Sequence, residues 1–380
     1  MQTALAAGQR RKAAKSAILD IPRSAPHSYK PVPGMFAAVL HGAKNIKIER
    51  RPAPTLSSGM VLLRVRRAGI CGSDMHYFVH GCCGGFVPTR PFVLGHELTA
   101  EVARVAQDVN TIHPGTRVVV NPARPCGACA YCAGGRSNLC PRTIMLGSAS
   151  TMPPTDGAFA QYVTVHASQC HLLPPEMDDG IGAMLEPLAV ALHAVKRPGP
   201  LGGKRVLVTG GGPIGLLVAA VARVFGASLI ALSDPVAERR KAALAFGVDE
   251  VVDPASQKLP PQIQALTCDG FDVSFEASGA AAALRQCFEQ ARRGGTIVQI
   301  GTLGADEIPL PAHQIMSREQ QWIGSFRYGA VFGEAIELAL SGRVKLAPLI
   351  SAVFPLSKIT RTFEQSLRKD ASLKVQIAVL

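Results

Sequence analysis

The sequence is short of aromatic and acidic side chains. It has 1 Trp, 5 Tyr and 14 Phe in 380 residues, and 27 Asp and Glu stand against 40 Lys and Arg. The net charge of +13 is spread along the chain, without a dense basic run and without a basic stretch interleaved with aromatics. We therefore predict no nucleic-acid partner, whereas a mildly basic surface would attract a dinucleotide or an acidic sugar.

The sequence also lacks a long uninterrupted apolar run. Its longest apolar stretch, Val206–Ala222, contains four glycines and a proline, which favours a strand, a turn and a helix over a membrane span. No apolar core of signal-peptide type begins the chain. Of the 10 cysteines, four have the spacing of a zinc site, which is typical of a reducing compartment. We predict a cytoplasmic protein without a membrane partner.

The chain does contain enough apolar material for two folded domains. Apolar residues make up 47% of the chain and charged residues 18%, which is the balance of a globular protein, and the length permits two cores. Residues 1–34 are basic and polar, and we predict a flexible leader there. It is interpreted either as a targeting peptide or as sequence upstream of the true start. Folded structure is predicted to begin near Met35.

The predicted elements change character near Glu186. Before it, short strands separated by Gly, Pro and Asn predict a compact, barrel-like β-rich domain. After it, strands and helices alternate, which predicts the α/β class with a doubly wound parallel sheet. The predicted strands are Met35–Leu40, Ile46–Glu49, Val61–Arg67, Glu101–Val105, Thr116–Val120, Lys204–Thr209, Ser228–Ser233, Asp272–Glu276 and Thr296–Ile300, and the predicted helices are Ile214–Phe225, Val236–Phe246, Ala280–Arg293 and Gly333–Leu340.

Four cysteines form the strongest local motif. Cys126, Cys129, Cys132 and Cys140 follow the pattern C-x2-C-x2-C-x7-C. Four thiolates satisfy tetrahedral zinc completely, so an ion held there is structural and has no open position. Free or disulfide-bonded cysteines are the first alternative. An iron–sulfur cluster is the second, because the first three spacings also suit one.

A glycine-rich turn follows the first strand of the predicted parallel sheet. Gly210, Gly212 and Gly215 form G-x-G-x-x-G, and Pro213 and Ile214 begin a helix within it. The first glycine allows the tight turn, the second lets the backbone approach a pyrophosphate, and the third lets helix and strand pack closely. The phosphates would lie at the positive end of that helix. The alternative is a helix start whose glycines serve packing alone.

The end of the next strand indicates which dinucleotide binds. Asp234 ends that strand, where a carboxylate accepts hydrogen bonds from both ribose hydroxyls and repels a 2′-phosphate. NAD is therefore the predicted cofactor. Arg239 and Arg240 lie close by in the sequence and keep NADP, or the use of both, as an alternative.

A second metal site is suggested by residues far apart in the sequence. Cys71 stands between glycines after a strand, His96 and Glu97 follow a glycine, and Glu186 precedes a proline. A thiolate on an open loop, with an imidazole and carboxylates, would hold a zinc that also reaches substrate. A structural histidine and surface carboxylates are the alternative, and Cys82 and Cys83 compete with Cys71 for the role of ligand.

These motifs, in this order, resemble the zinc-dependent medium-chain dehydrogenases over roughly residues 35–380. A glutamate at 186 in the position of a cysteine ligand resembles the polyol, or sorbitol-type, branch. Further segments are similar to L-idonate 5-dehydrogenases. The segments that carry the resemblance are Ala68–His76, Gly95–Glu97, Asn121–Cys126, Gly147–Ala149, Asp156–Phe159, Glu186–Val190, Phe271–Gly279 and Gly324–Arg327. The leader has no counterpart in that pattern, and Gly81–Phe86 departs from it with two cysteines.

The resemblance implies an α/β architecture in which a β-rich GroES-like catalytic domain, residues 35–186 and 325–380, encloses a Rossmann domain at 187–324. It implies that Cys71 and His96 bind a catalytic zinc, and that Glu97 and Glu186 bind it directly or through its water and can alternate. The zinc would lower the pKa of the substrate alcohol, and the nicotinamide would accept the hydride. Backbone near Ser278 and Gly301 would lie along the nicotinamide.

The resemblance also assigns residues to the substrate. Ser73 would pass the proton outward, unless it is only a turn hydroxyl. Arg327 and Tyr328 resemble the substrate-binding pair of polyol dehydrogenases, and a guanidinium there would hold hydroxyls or a carboxylate. A salt bridge at the domain interface is the alternative for Arg327.

Together these expectations describe a zinc enzyme that oxidises a secondary alcohol of a sugar acid or polyol with NAD, or with NADP. L-idonate is the predicted substrate, and sorbitol or xylitol is the alternative within the same chemistry. An alternative of another class is a non-enzymatic module that binds zinc and nucleotide. The resemblance further suggests a homo-oligomer, either a dimer or a tetramer.

Overall fold

The computed structural model describes residues 34–255, 261–304 and 307–379, with backbone alone at residues 262 and 263. The predicted leader therefore lies outside the described residues, apart from Gly34. Among the described residues, the first strand begins at Met35.

The first part of the chain is built mainly of short strands. Its larger sheet is organised around β3, whose inward side chains are buried and whose partners are antiparallel strands on both sides. The elements of this part are β1 (Met35–Gly42), β2 (Asn45–Arg51), β3 (Met60–Gly69), α1 (Gly72–His80), β4 (Phe92–Val93), β5 (Glu97–Val105), β6 (Arg117–Val120), β7 (Ala123–Arg124), α2 (Ala130–Ala133), β8 (Ile144–Met145), β9 (Tyr162–His166), β10 (Cys170–Leu172), α3 (Asp179–Gly182) and α4 (Leu185–Lys196).

Strands and helices alternate in the next part, as the sequence predicts. β11 and β12 are almost wholly buried, because helices cover both faces of a parallel sheet. The elements are β11 (Arg205–Thr209), α5 (Pro213–Val224), β12 (Leu229–Ser233), α6 (Ala237–Ala243), β13 (Glu250–Val252), α7 (Pro261–Thr267), β14 (Phe271–Glu276), α8 (Ala281–Gln290), β15 (Ala291–Gln299), α9 (Ala312–Ser317), β16 (Gln321–Gly324), α10 (Phe332–Leu340), β17 (Ile350–Pro355), α11 (Ile359–Leu367) and β18 (Lys374–Ala378).

The chain end returns to the first sheet. In the part of the chain that the structure describes, the strand order there is β10-β6-β5-β3-β18-β17, with β9 also paired to β3. A separate parallel sheet has the order β13-β12-β11-β14-β15-β16, in which the order reverses next to β11. This is a doubly wound sheet, and it places the carboxyl end of β11 at a crevice where ligands bind in such folds. The predicted α/β class and architecture are confirmed.

Some predicted elements differ from the structure. The helix expected over Ala280–Arg293 ends at Gln290, because β15 begins at Ala291 and pairs there with Phe271. In the segment Val236–Phe246, which was expected to be one helix, the α-helix ends at Ala243. A 3₁₀ turn follows over Leu244–Phe246 and is capped by Gly247 in the left-handed conformation. Short apolar segments allow either periodicity, and pairing with neighbouring strands decides between them.

Each sheet carries its own buried core. Val61, Leu63 and Phe159 lie in the core of the first, and Val206, Val208 and Phe275 lie in the core of the second. α4 packs into the second core from the side that faces the first sheet. Among the described residues, no helix combines the length and the apolar character needed to cross a membrane.

Candidate active site

Cys71 lies at the start of a helix that the sequence did not predict. β3 ends at Gly69, and Cys71 is the N-cap of α1 with extended backbone angles. Its amide donates to Oδ2 of Asp74 at 2.9 Å, so that Asp74 closes the first turn. The expectation of an open loop after the strand is therefore corrected: Cys71 is fixed by a helix cap, and Ser73 lies half-buried in the first turn beside it.

Asp74 also ties this helix to the second ligand segment. Its Oδ1 accepts a hydrogen bond from the Gly95 amide at 3.2 Å and lies 3.7 Å from Nδ1 of His96. Both side chains are buried. Burial by itself would lower the pKa of His96, but the charges of Asp74 and Cys71 outweigh it and raise that pKa well above the usual value. A carboxylate behind a ligating imidazole is the arrangement that orients histidine on a metal.

Glu97, the first residue of β5, has a buried cation as its partner. Lys374 Nζ lies 2.7 Å from Oε1 and 2.8 Å from Oε2 of Glu97, and it also donates to the Ile70 carbonyl at 3.0 Å. Burial would lower the pKa of Lys374, but Glu97 outweighs it and raises that pKa. Sequence analysis missed Lys374 because the pair is separated by 277 positions.

The structure brings three of the four predicted catalytic ligands together. Within the described residues, donor atoms of Cys71, His96 and Glu97 all lie within 4.8 Å of one another. Glu186, in the first turn of α4, is outside that group but close enough for charge interactions with His96 and Glu97. Burial raises the pKa of Glu186 to about 7. One thiolate, one imidazole and nearby carboxylates form a donor set that suits zinc with a position open to substrate.

The four-cysteine group is assembled from one short stretch. Donor atoms of Cys126, Cys129, Cys132 and Cys140 lie within 4.8 Å of one another in the described part of the chain. The Cys126 amide donates to Sγ of Cys140 at 3.3 Å, and Arg142 donates to Sγ of Cys126 at 3.2 Å. A hydrogen bond from the Ala128 amide is the main cause that lowers the pKa of Cys126 to about 6. A thiol that loses its proton readily is ready to bind metal, and four sulfurs fit structural zinc.

The glycine turn has the close packing that its sequence predicts. Gly210 has φ of +102°, and a side chain there would meet Ser278 at 2.9 Å. A side chain on Gly215 would lie 1.8 Å from the Gly210 carbonyl oxygen. Gly212 is the N-cap of α5 and Pro213 its first residue, with Ile214 next. The glycines before this helix carry no side chain, which allows a pyrophosphate to approach the backbone amides at the helix start.

Asp234 braces that turn from the next strand. Its Oδ2 accepts from the Gly211 amide at 2.7 Å and its Oδ1 from the Val236 amide at 2.8 Å. Arg239 Nη1 lies 4.0 Å from Oδ2 of Asp234, while its Nε donates to the Lys369 carbonyl at 2.9 Å. Arg240 instead pairs with Asp253 at 2.9 Å. Of the two arginines, Arg239 is the one whose guanidinium lies beside the Asp234 carboxylate.

Ser278 and Gly301 are held together by a residue that sequence analysis did not single out. Oε1 of Glu276 accepts from the Ser278 amide at 2.7 Å and from the Gly279 amide at 2.8 Å. The Glu276 carbonyl accepts from the Gly301 amide at 3.0 Å. Glu276 thereby fixes the loops that end β14 and β15. Its position in the segment Phe271–Gly279 was a signal that could have revealed it.

Arg327 occupies an unusual backbone position next to Glu186 and Tyr328. Its φ of +53° is rare for a residue with a side chain and often marks a functional constraint. The guanidinium donates to the Ser150 hydroxyl at 3.1 Å and lies 4.8 Å from the centre of the Phe326 ring. Across residues 34–255, 261–304 and 307–379, Arg327 has no salt bridge, so the expected alternative of an interface ion pair is not found there.

Comparison with known proteins matches both parts of the chain. Residues 57–175 match the alcohol dehydrogenase GroES-like domain, and residues 213–341 match the zinc-binding dehydrogenase family. Sorbitol dehydrogenase of Bacillus subtilis is 36% identical over 345 residues, which cover 90% of this chain and 97% of that protein. L-idonate 5-dehydrogenase (NAD(P)(+)) of Escherichia coli is 34% identical over 341 residues, 90% of this chain and 98% of that protein.

Two solved structures extend the comparison. The crystal structure of L-idonate 5-dehydrogenase from Escherichia coli has a TM-score of 0.85 at 33% identity, and covers 91% of this chain and 98% of that chain. A zinc-binding dehydrogenase from Sinorhizobium meliloti, bound to NADP, has a TM-score of 0.82 at 32% identity, with 91% of this chain and 99% of that chain covered.

Proposed function

We propose that this chain, which belongs to the zinc-dependent medium-chain dehydrogenases and to their polyol and sugar-acid group, oxidises L-idonate at C5 to 5-ketogluconate. Its cofactors are zinc and a nicotinamide dinucleotide, as predicted. The relatives are dehydrogenases, so the expectation of an enzyme is confirmed and the alternative of a non-enzymatic module is set aside.

The choice of a sugar acid over a neutral polyol rests on the burial and the hydrogen-bond partners of the Arg327 guanidinium. Its guanidinium is half-buried and is held by a hydroxyl and an aromatic ring, with no carboxylate paired to it in the described part of the chain. Burial lowers the pKa of Arg327, and the attraction of its neighbours, Tyr328 first and Glu186 among them, offsets that effect only in part. A planar fork of donors next to Glu186 and Tyr328 suits a substrate carboxylate bound in bidentate fashion. A neutral polyol would offer the guanidinium hydroxyl oxygens as acceptors but no counter-charge.

The remaining roles follow from placement in the structure. Cys71 and His96 would hold the metal. Glu97 and Glu186 would alternate as its third ligand, because Glu97 also pairs with Lys374 and Glu186 also interacts with Tyr328. When bound, zinc lowers the pKa of the substrate hydroxyl and the nicotinamide takes the hydride. Ser73, half-buried in the first turn of α1, would move the hydroxyl proton away from the site.

The cofactor contacts belong to the same proposal. Gly210, Gly212 and Gly215, with the start of α5 at Pro213 and Ile214, would receive the pyrophosphate. Asp234 would bind the ribose hydroxyls of NAD. If NADP binds instead, Arg239 would pair with its 2′-phosphate. The loops at Ser278 and Gly301 would lie along the nicotinamide. We further propose that residues 35–186 and 325–380 form the catalytic domain around a Rossmann domain at 187–324, and that the enzyme is a cytoplasmic homo-oligomer.

The test compares substrates and an arginine variant. Steady-state kcat/KM is measured on L-idonate, sorbitol and xylitol, with NAD and NADP separately. We expect idonate to be preferred, and Arg327→Ala to lower kcat/KM on idonate by about 10- to 100-fold, the effect of losing a charged hydrogen-bonded pair. The same change should affect sorbitol by less than about tenfold. Arg327→Lys is the control that keeps the charge and loses the bidentate geometry.

Sorbitol or another neutral polyol is the second candidate, because the sorbitol dehydrogenase of Bacillus subtilis is 36% identical. Faster turnover of sorbitol than of idonate at equal concentration, together with equal sensitivity of both substrates to Arg327→Ala, would replace the proposed substrate with a polyol.

A further inference from the structure

We infer that Asn138 is a positioning residue, which holds the loop over residues 326–329 from the four-cysteine segment and so fixes the place of the Arg327 guanidinium. The inference rests on the proposed role of Arg327 in binding a substrate carboxylate. It gives the stretch between Cys132 and Cys140 a task toward the substrate, whereas the sequence indicated only a structural metal site there.

The side-chain amide of Asn138 meets the backbone on both sides of Arg327. Its Nδ2 donates to the Phe326 carbonyl at 3.0 Å, across 188 positions of sequence. Its Oδ1 faces Gly329, where a Cβ would lie 3.8 Å from that oxygen. Asn138 and Arg327 also line the same cavity, of about 290 Å³. One side chain therefore spans the loop that carries the guanidinium.

Asn138 is itself held by the short turn that completes the four-cysteine segment. It is the middle residue of a 3₁₀ turn over Ser137–Leu139, in which the Cys140 amide donates to the Ser137 carbonyl at 3.1 Å. Cys140 follows this turn directly and is buried, and its Sγ accepts from the Cys126 amide at 3.3 Å. The donor that reaches the 326–329 loop therefore starts from a backbone that hydrogen bonds tie to the cysteine group.

Arg327 needs an anchor of this kind because its backbone is strained. A residue with a side chain keeps a φ of +53° only where its surroundings impose it. The Phe326 carbonyl, which accepts from Asn138, directly precedes this residue. Directly after it, the hydroxyl of Tyr328 donates to Oδ1 of Asn121 at 3.2 Å. Bonds on both neighbours thus hold the strained residue in its conformation.

Phe326 links the anchor to the guanidinium. Its carbonyl accepts the bond from Asn138, and its ring centre lies 4.8 Å from the guanidinium carbon of Arg327. The guanidinium also donates to the Ser150 hydroxyl at 3.1 Å. A shift of Phe326 therefore moves both the start of Arg327 and the ring against which its guanidinium lies. Loss of the Asn138 donor should be felt where the substrate carboxylate binds.

The first measurement is steady-state kinetics of the zinc-loaded enzyme on L-idonate and on sorbitol. We expect Asn138→Ala to raise KM for idonate by about fivefold, the effect of one neutral hydrogen bond. Since the carboxylate contributes binding and takes no part in hydride transfer, kcat should change by less than about twofold. KM for sorbitol, which has no carboxylate, should also change by less than about twofold. Asn138→Gln keeps the donor and should recover part of the loss, and Ser137→Ala is the matched control from the same turn.

A double variant tests whether Asn138 acts through Arg327. In Arg327→Ala the guanidinium is gone, so adding Asn138→Ala should change kcat/KM on idonate by less than about twofold. Zinc content should be the same in all variants, which checks that the four-cysteine group is intact. An unchanged KM for idonate in Asn138→Ala would overturn the inference. An equal loss with and without the guanidinium would also overturn it, because Asn138 would then act by another route.

Hydrogen exchange, followed by mass spectrometry, tests the anchor without any substrate. A peptide over residues 322–331 contains the 326–329 loop and the Ser325 amide, which donates to the Gln299 carbonyl at 2.8 Å. We expect Asn138→Ala to speed exchange in this peptide by about fivefold, because the loop opens more often once one hydrogen bond is lost. Exchange as slow as in the unaltered enzyme would contradict the inference.

Failure of the proposed function looks different from failure of this inference. If Arg327 does not bind a carboxylate, Arg327→Ala lowers kcat/KM on idonate no more than on sorbitol, while Asn138→Ala still speeds exchange in the loop. If Asn138 does not hold the loop, Arg327→Ala keeps its selective effect on idonate, and Asn138→Ala alters neither KM nor exchange. The two failures are therefore distinguishable in one set of variants.

Discussion

The two candidate metal-binding groups of this protein are built in opposite ways. The four cysteines come from one stretch, Cys126 to Cys140, and their cationic neighbour Arg142 is exposed. The candidate catalytic group joins the start of α1, the start of β5 and a lysine from the last strand, and its charged partners Asp74 and Lys374 are buried. A site made by local spacing needs little from the fold. A site made from distant segments depends on buried charges that the fold must hold.

The largest expected effect separates the two sites completely. Cys71→Ser should reduce turnover by at least about a thousandfold, because the metal can no longer lower the pKa of the substrate hydroxyl. Zinc content should fall from about two to about one per chain, since the four-cysteine group is closed and independent. NAD binding, followed by quenching of protein fluorescence, should persist. Loss of both metals would show that the two groups are not independent.

The buried cation is expected to matter next. Lys374→Met leaves the fully buried Glu97 without its partner, and breaking such a pair costs about 3–5 kcal/mol. We expect a fall of that order in the free energy of unfolding, measured by urea titration of the zinc-free protein, in which no metal ion competes with Lys374 for Glu97. Lys374→Arg keeps the charge and is the matched control. A Lys374→Met protein as stable as the unaltered one would mean that Glu97 is neutralised in some other way.

The exposed cation should matter least. Arg142 donates to Cys126 just as Lys374 donates to Glu97, but Arg142 is in contact with solvent, which screens the interaction. We expect Arg142→Ala to speed release of the structural zinc to a chelator by about fivefold or less, with turnover on a polyol panel unchanged. An effect as large as that of Lys374→Met would remove the contrast between the two sites.

The parts of the fold that the sequence predicted are those with local causes. The glycine turn has no space for side chains at Gly210 and Gly215. The glycines themselves therefore identify the turn in the sequence. The alternation of strand and helix after residue 186 also has a local cause, because each element carries its own hydrophobic periodicity. This alternation predicts the parallel sheet. The end of the helix at Gln290 was predicted too late, because β15 begins at Ala291 only through its pairing with Phe271.

The candidate site was predictable as a set of ligands and unpredictable in its surroundings. Cys71, His96 and Glu97 were expected together and lie together. The start of a helix at Cys71 was missed because its cap is a hydrogen bond that Asp74 accepts from the Cys71 amide, and Asp74 also lies beside His96, which comes just before β5. Glu186 was expected among the ligands, but the fold sets it beside Tyr328 and outside the close group.

The sequence by itself determined which atoms can bind metal and cofactor, because thiols at fixed spacing and glycines at a helix start act through local geometry. Only the tertiary structure decided what competes with those atoms. Lys374 meets Glu97 across 277 positions of sequence, and Asn121 meets Tyr328 across 207. Long-range hydrogen bonds of this kind leave no periodic trace in the chain, since they depend on how the last strand and the 326–328 loop return to the first sheet.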